Sequence, residues 1–170
     1  MLATIGLRGA LLLAMAGTIG CDRVTKHLAA TALAGRPVKS FLGDALRLEY
    51  AENTGAFLGL GADLPPRVRL AVFALATLVG LAVIIGLGRR LRHVPPALFG
   101  LALFAAGSLS NLADRVAYGS VVDFLNVGVG LLRTGIFNVA DVAIFAGAAL
   151  VVAGSGRSDR ATSQPAAAQD

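Results

Sequence analysis

With a single cysteine, Cys21, in 170 residues, the chain can build no intramolecular disulfide framework. Tryptophan is absent. The only histidines, His27 and His93, lie far apart and outside any His-Glu-x-x-His or Cys/His spacing, so no metal site is expected. Lysine is also scarce: Lys26 and Lys39 are the whole supply. No motif links either to Ser108 or Ser110, which leaves serine catalysis without a base. Charged residues make up 15% of the chain against 56% hydrophobic ones, a balance suited to a bilayer rather than to water. The net charge of +5 would suit nucleic acid in a polar chain. In one this apolar, basic residues flank membrane segments and meet anionic lipid, so no nucleic-acid partner is expected.

What is present is long apolar runs. Leu70 to Gly88, Pro95 to Ala113 and Ile136 to Gly154 each cover about 20 residues, enough for a helix to cross the hydrocarbon core. A first run is shorter, because 13 residues separate Arg8 from Asp22. It reaches spanning length if the helix continues through Asp22 and Lys26 to Leu33, giving a span over about 7–33. Asp22 and Lys26 stand i, i+4 with the acid first, the order in which a charge pair supports a helix. The short run ending in Thr18-Ile19-Gly20-Cys21 also imitates a lipoprotein cleavage site. Thr18 stands where an aliphatic residue is preferred and the rest of the chain is polytopic. No cut at Cys21 is therefore expected, and Cys21 is read as a small buried residue.

The expected fold is therefore an all-α membrane protein of four transmembrane helices, residues 1–154, with a small extramembrane β-cradle. Ala45 to Tyr50 and Ser120 to Val127 read as its strands, one by apolar/polar alternation and the other by β-branched content. Asn53-Thr54-Gly55 is a turn signal leading into an apolar foot at Ala56-Phe57. Residues 155–170 read as a disordered cytoplasmic tail. Arg89, Arg90 and Arg92 crowd one short loop, which places that loop and both termini in the cytoplasm. Arg36, Lys39, Arg47, Arg67 and Arg69 fall on the other side, so the assignment rests on the tight cluster rather than on a count.

Span parity then brings Asp22, Asp114, Asp123 and Asp141 to one membrane face, with Asn53, Asn111 and Asn138. Ionisable groups at such depth face a partner or a cavity. Asp22 with Lys26 reads as a structural pair. Asp114 with Arg115 reads equally as a positioning ion pair or as chemistry. Asp123 alone in a loop would ordinarily be a solvated acid. Asp141, placed five residues into the fourth span among apolar neighbours, has no base near it in sequence and reads as functional. Two carboxylates held together share one proton, so one can take a proton from water while the other polarises a carbonyl. Residue types alone do not choose Asp123 over Asp114 as the partner of Asp141. A small proton-coupled transporter using Asp141 as its ion site fits the same acids less well, since it does not need the strand segments and no internal repeat is found; a structural assembly factor that holds a lipid-modified partner is a third reading.

Five segments occur in one order: Asp22-Arg23-Val24-Thr25-Lys26, Asn53-Thr54-Gly55-Ala56-Phe57, Gly107-Ser108-Leu109-Ser110-Asn111-Leu112-Ala113-Asp114-Arg115, Val121-Val122-Asp123-Phe124 and Phe137-Asn138-Val139-Ala140-Asp141. Together they resemble the ordered signature of the bacterial lipoprotein signal peptidases, the type II signal peptidases, from about Leu7 to Val152. Ser108 and Ser110 depart mildly from it, standing where the family often has Ala and Gly. The resemblance implies an aspartic endopeptidase that cuts diacylglyceryl-modified prolipoproteins before the lipidated cysteine, needing no cofactor. It implies Asp123 and Asp141 as the catalytic dyad. Asp22, Lys26, Asn53, Asn111, Asp114, Arg115 and Asn138 would support the dyad and bind substrate. It further implies a multi-pass protein of the bacterial inner membrane, with the active site at the outer face, in contact with membrane lipid and inhibited by globomycin-type cyclic peptides.

Overall fold

The structure is a computed structural model and describes residues 2–55 and 61–162. Helix α1 (Leu2–Leu33) is followed by strands β1 (Lys39–Phe41) and β2 (Leu46–Asn53), helices α2 (Pro66–Arg90) and α3 (Pro95–Tyr118), strands β3 (Val121–Val129) and β4 (Leu132–Arg133), and helix α4 (Val139–Thr162). The chain is thus mostly helical, with one antiparallel sheet in the order β1-β2-β3-β4. By length and composition, α2 and α3 are each able to cross a membrane. Proline opens both helices at positions where its missing N–H is no loss. No residue of α2 is buried, so this helix is apolar on faces that the rest of the chain does not cover.

Helix α3 is the centre of the bundle and packs against α1, α2 and α4. Its buried side consists of small residues, among them Ala97, Gly100, Ala102, Ala105, Ala106 and Gly107. Small residues let helix backbones approach closely where hydrocarbon offers no competing hydrophobic drive. At Gly107 an added Cβ would collide with the carbonyl of Ala140, one residue before Asp141. Gly107→Ala is therefore expected to lower stability by about 1–3 kcal/mol through overpacking and to reduce activity by displacing the first turn of α4. Gly86→Ala on α2, where a Cβ meets nothing within 4 Å, should be neutral or mildly stabilising in the same thermal melts.

Strands β2 and β3 pair with Asn53 opposite Val121 and Ala51 opposite Asp123, and an irregularity lies between Leu48 and Ala51. The two expected strands are present and extended. The flanking β1 and β4, with three and two residues, were too short to show a pattern. The tight turn Leu42-Gly43-Asp44 runs through left-handed backbone at all three residues. Arg47 and Ser40 both donate to the Asp44 carboxylate, and they hold it well below the usual carboxylate range. The Arg133 guanidinium reaches across from β4 to the Asp44 carbonyl at 2.7 Å, tying this turn to the β3–β4 hairpin.

Three expectations need correction. Helix α4 starts at Val139, not Ile136, because Phe137 is taken up by the sheet: its N–H and carbonyl both bond the backbone of Leu125. The same helix runs to Thr162, through residues expected to be disordered from Ser155 onward. No proline interrupts that stretch before Pro165, and an existing helix propagates at little further cost. Residues 163–170, like the expected apolar foot at Ala56-Phe57, lie outside the described residues. Finally, Cys21 is exposed rather than buried. It directly precedes the inward-facing Asp22, and consecutive helical residues point in different directions.

Candidate active site

Lys26 and Asp22 project from α1 toward α3 and α4. The Lys26 ammonium lies 2.6 Å from Asp22 Oδ2 and 2.7 Å from Asp114 Oδ2, and it donates to Asn111 Oδ1 at 2.7 Å. An ammonium has three protons, so these three acceptors saturate it. The other oxygen of Asp114 is paired with Arg23 Nη1. Asp22 accepts the hydroxyl of Ser110 on Oδ2 at 2.7 Å and the backbone N–H of Ala140 on Oδ1 at 2.9 Å. A carboxylate of α1 thus satisfies one of the orphan donors in the first turn of α4. Two acids and two bases balance here, and Asp22, Lys26 and Asp114 are all buried.

The neighbouring pair of acids is surrounded differently. Asp123, on β3, accepts Asn53 Nδ2 at 2.8 Å and Asn138 Nδ2 at 2.6 Å. Asp141, in the first turn of α4, accepts Asn111 Nδ2 at 2.9 Å and the backbone N–H of Asn138 at 3.1 Å. Asn138 Oδ1 in return accepts the Asp141 N–H at 3.0 Å. This reciprocal pair is a capping box that starts α4 and fixes the Asp141 rotamer. Asn138 is fully buried and touches both acids, one through its side chain and the other through its backbone. Asn53 is oriented by a local turn in which its Oδ1 accepts the Gly55 N–H at 3.0 Å. Burial pushes the Asp123 carboxyl up, the Asn53 and Asn138 amides counter it, and the Asp141 charge adds to the rise.

Asp123 and Asp141 line one cavity of about 190 Å³ with Asn53, Asn111, Arg115 and Asn138. Through Asn111, Arg115, Asp141 and Ile144 it adjoins a second cavity of about 300 Å³ between α2, α3 and α4, walled by Phe73, Thr77, Gly80 and Phe104. The Arg115 guanidinium donates to the carbonyls of Gly55 at 2.6 Å and Asn111 at 3.2 Å and lies 4.8 Å from the ring centroid of Phe73. It thereby joins α2, α3 and the β2 turn around the two acids.

All nine residues singled out in the sequence belong to one hydrogen-bonded network. The expected pairing of Asp114 with Arg115 does not occur, because adjacent helical residues point to different sides: Asp114 faces α1 and Arg115 faces α2. Two participants were missed. Arg23 neutralises Asp114, and its signal was that Asp114 had no cation on its own helix face. Ser110, counted as a neutral departure, is a buried donor to Asp22. Asp141 is also nearer its helix end than five residues in, since Asn138 and not Ile136 caps the helix.

The fold resembles a solved bacterial membrane enzyme with a TM-score of 0.75 over 95% of each chain, at 23% identity. Among curated relatives, the chain is 36% identical to the lipoprotein signal peptidase of Desulforapulum autotrophicum over 135 residues, 79% of this chain and 83% of that one. It is 35% identical to that of Geobacter sulfurreducens over 147 residues, 85% and 89% of the two chains. With the Rhodococcus jostii lipoprotein signal peptidase it shares 38% over 156 residues, 85% and 72% of the two chains. The family profile for signal peptidase (SPase) II matches residues 14–155, which span every element of the network from Asp22 to Asp141. The chain belongs to the signal peptidase II family, and is an endopeptidase of that family.

Proposed function

We propose that the protein removes signal peptides from diacylglyceryl-modified prolipoproteins by cutting before the lipidated cysteine, with Asp123 and Asp141 as the catalytic dyad. The observation that carries this choice is the difference in neutralisation among the four acids. Asp22 and Asp114 are matched by Lys26 and Arg23. Among the described residues, Asp123 and Asp141 receive hydrogen bonds only from amide N–H donors, and they line a common cavity. Two such carboxylates share a proton. The ionised one removes a proton from water as the water oxygen bonds to the scissile carbonyl carbon, while the protonated one donates to the carbonyl oxygen. Collapse of the tetrahedral intermediate breaks the C–N bond, and the departing cysteine nitrogen takes up a proton. The pair titrates as a unit.

All four helices cross the membrane in this reading, with α1 over about 7–33 completing the set. Both termini and the Arg89–Arg92 loop lie in the cytoplasm of a bacterial inner membrane, and the sheet rests on the outer face. The cavity between α2, α3 and α4 receives the signal helix and the lipid side of the substrate. Tethering both parts in the bilayer supplies positioning that the chemistry needs. Globomycin-type cyclic peptides occupy the same groove.

Cleavage of a diacylglyceryl prolipoprotein in detergent, with the new N-terminus identified by mass spectrometry, tests the reading. A cut elsewhere than before the lipidated cysteine overturns it. Activity against pH should be bell-shaped, as expected of a pair needing one proton and one charge. Because the Asp123 carboxyl is raised, the folded state holds its proton to higher pH than the unfolded chain does. Its contribution to stability should therefore fall as pH rises through the window between the two values. Melts of wild type and Asp123→Asn across that window should diverge accordingly; parallel curves would remove the raised carboxyl from the account.

A further inference from the structure

A cavity larger than the one that holds Asp123 and Asp141 lies elsewhere in the chain. It measures about 420 Å³ and lies between α1, the last turn of α3 and the opposite face of β2 and β3, lined by Arg23, His27, Tyr50, Glu52, Tyr118 and Ser120 among others. Strand alternation separates the two cavities. Asn53, Val121 and Asp123 serve the first, whereas Glu52 and Val122, paired with each other, serve the second. Its volume falls in the range of about 300–1,000 Å³ common for small-ligand sites.

Its polar groups are sorted by sign. At the α1 side, Arg23 spends Nη1 on Asp114, and among the described residues its Nε and Nη2 make no hydrogen bond. One helical turn on, His27 lines the same cavity, as does Ser120. At the sheet side the exposed Glu52 accepts the Tyr50 hydroxyl at 2.8 Å and has no cation paired with it among the described residues. Lys26 and Asp114, also in the wall, belong with Asp22 and Arg23 to the balanced set of two acids and two bases, so Arg23 brings unspent N–H donors rather than an unmatched charge. What is left is a donor end built on a guanidinium and an acceptor end built on a carboxylate, between two tyrosines. Tyrosines of this kind mark the membrane–water interface, where an apolar ring and a polar tip are both satisfied.

We propose that this cavity binds the headgroup of a zwitterionic phospholipid. The phosphodiester faces Arg23, His27 and Ser120, the amine faces Glu52, and the acyl chains run down the outside of α1 and α3. An anionic headgroup without an amine would meet the Glu52 charge and leave it unmatched, whereas a zwitterion complements both ends. The inference rests on the placement of the sheet at the membrane surface proposed above, but not on the dyad.

The test is native mass spectrometry of the delipidated full chain, offered phosphatidylethanolamine, phosphatidylglycerol and diacylglycerol with identical acyl chains. Phosphatidylethanolamine should be retained about fivefold over phosphatidylglycerol, and Glu52→Gln should bring that ratio close to one. His27→Ala should lower retention of both phospholipids without changing that of diacylglycerol. Cleavage activity and melting temperature of both variants should stay at the wild-type level. Equal retention of all three lipids, or a ratio unmoved by Glu52→Gln, overturns the headgroup site. Competition by soluble glycerophosphoethanolamine at the concentration of the lipid would make the ligand a free metabolite and overturn the lipid assignment. Failure to retain any lipid would instead strike at the membrane placement itself, while loss of cleavage in dyad variants is read separately.

Discussion

Asp141→Asn should lower turnover of a diacylglyceryl prolipoprotein by about 10³-fold, and Asp123→Asn by a similar factor, within the range assigned to a positioned acid or base. Neither change is silent for the fold. Each carboxylate accepts two amide donors, one per oxygen. An asparagine has one acceptor oxygen, so its NH₂ would face a donor. At Asp141 the neighbouring Asn111 amide is not free to reverse, since its oxygen already accepts Lys26. A loss of about 1–3 kcal/mol in stability is expected from the unmade bond. The two effects separate by measurement: thermal melts report how much protein is folded, and the fall in turnover should far exceed that fraction. Retention of more than a tenth of wild-type turnover in either folded variant would rule out the dyad. The same comparison on Asp114→Asn should show lost stability together with lost activity, because it undoes a site bonded to both Lys26 and Arg23.

The second large effect is structural. Lys26→Met should destabilise the chain by about 3–5 kcal/mol, the penalty of leaving buried charge unmatched. Asp22 has no exposed surface and no other cation within ion-pair distance among the described residues. Among the described residues, Asp114 keeps only Arg23 as a cation. Adding Asp22→Asn to Lys26→Met should recover part of the loss, because one of the two exposed penalties is removed. A double variant no more stable than the single one would show that packing, not charge, is what Lys26 supplies. Activity should fall in both variants, since the Asn111 oxygen loses the cation that sets its amide toward Asp141. Lys26→Arg is not a conservative control: a planar fork does not reproduce three converging bonds to one nitrogen.

Much of this arrangement was legible from residue order. Apolar length marked α2 and α3, while alternation marked β2 and β-branched content marked β3, each to within a few residues. The i, i+4 spacing of Asp22 and Lys26 predicted a contact that the structure forms at 2.6 Å. Less legible were features that depend on two segments at once. Phe137 looked like the start of an apolar helix, yet the sheet claims its backbone and shifts the helix start to Val139. The capping box of Asn138 and Asp141 was written in the sequence as Asn-x-x-Asp, but an apolar run extending back to Ile136 concealed it. Ser110 looked interchangeable with other small residues until Asp22 was seen to lie within reach of its hydroxyl.

By itself the sequence determined a chain too apolar for water, with small residues along one helix and a set of carboxylates and amides at one end of it. Hydropathy and periodicity are local sums, so neighbours in the chain are enough to establish them. Only the tertiary structure decided which acids are paired with cations and which line a common cavity. Arg23 meets Asp114 across 91 residues, Ser110 meets Asp22 across 88, and Asp22 caps α4 at Ala140 across 118. Charge is matched through space, over a few ångströms and regardless of chain separation. For that reason four aspartates that resemble one another in sequence divide, once folded, into two that are bound by cations and two that share a cavity.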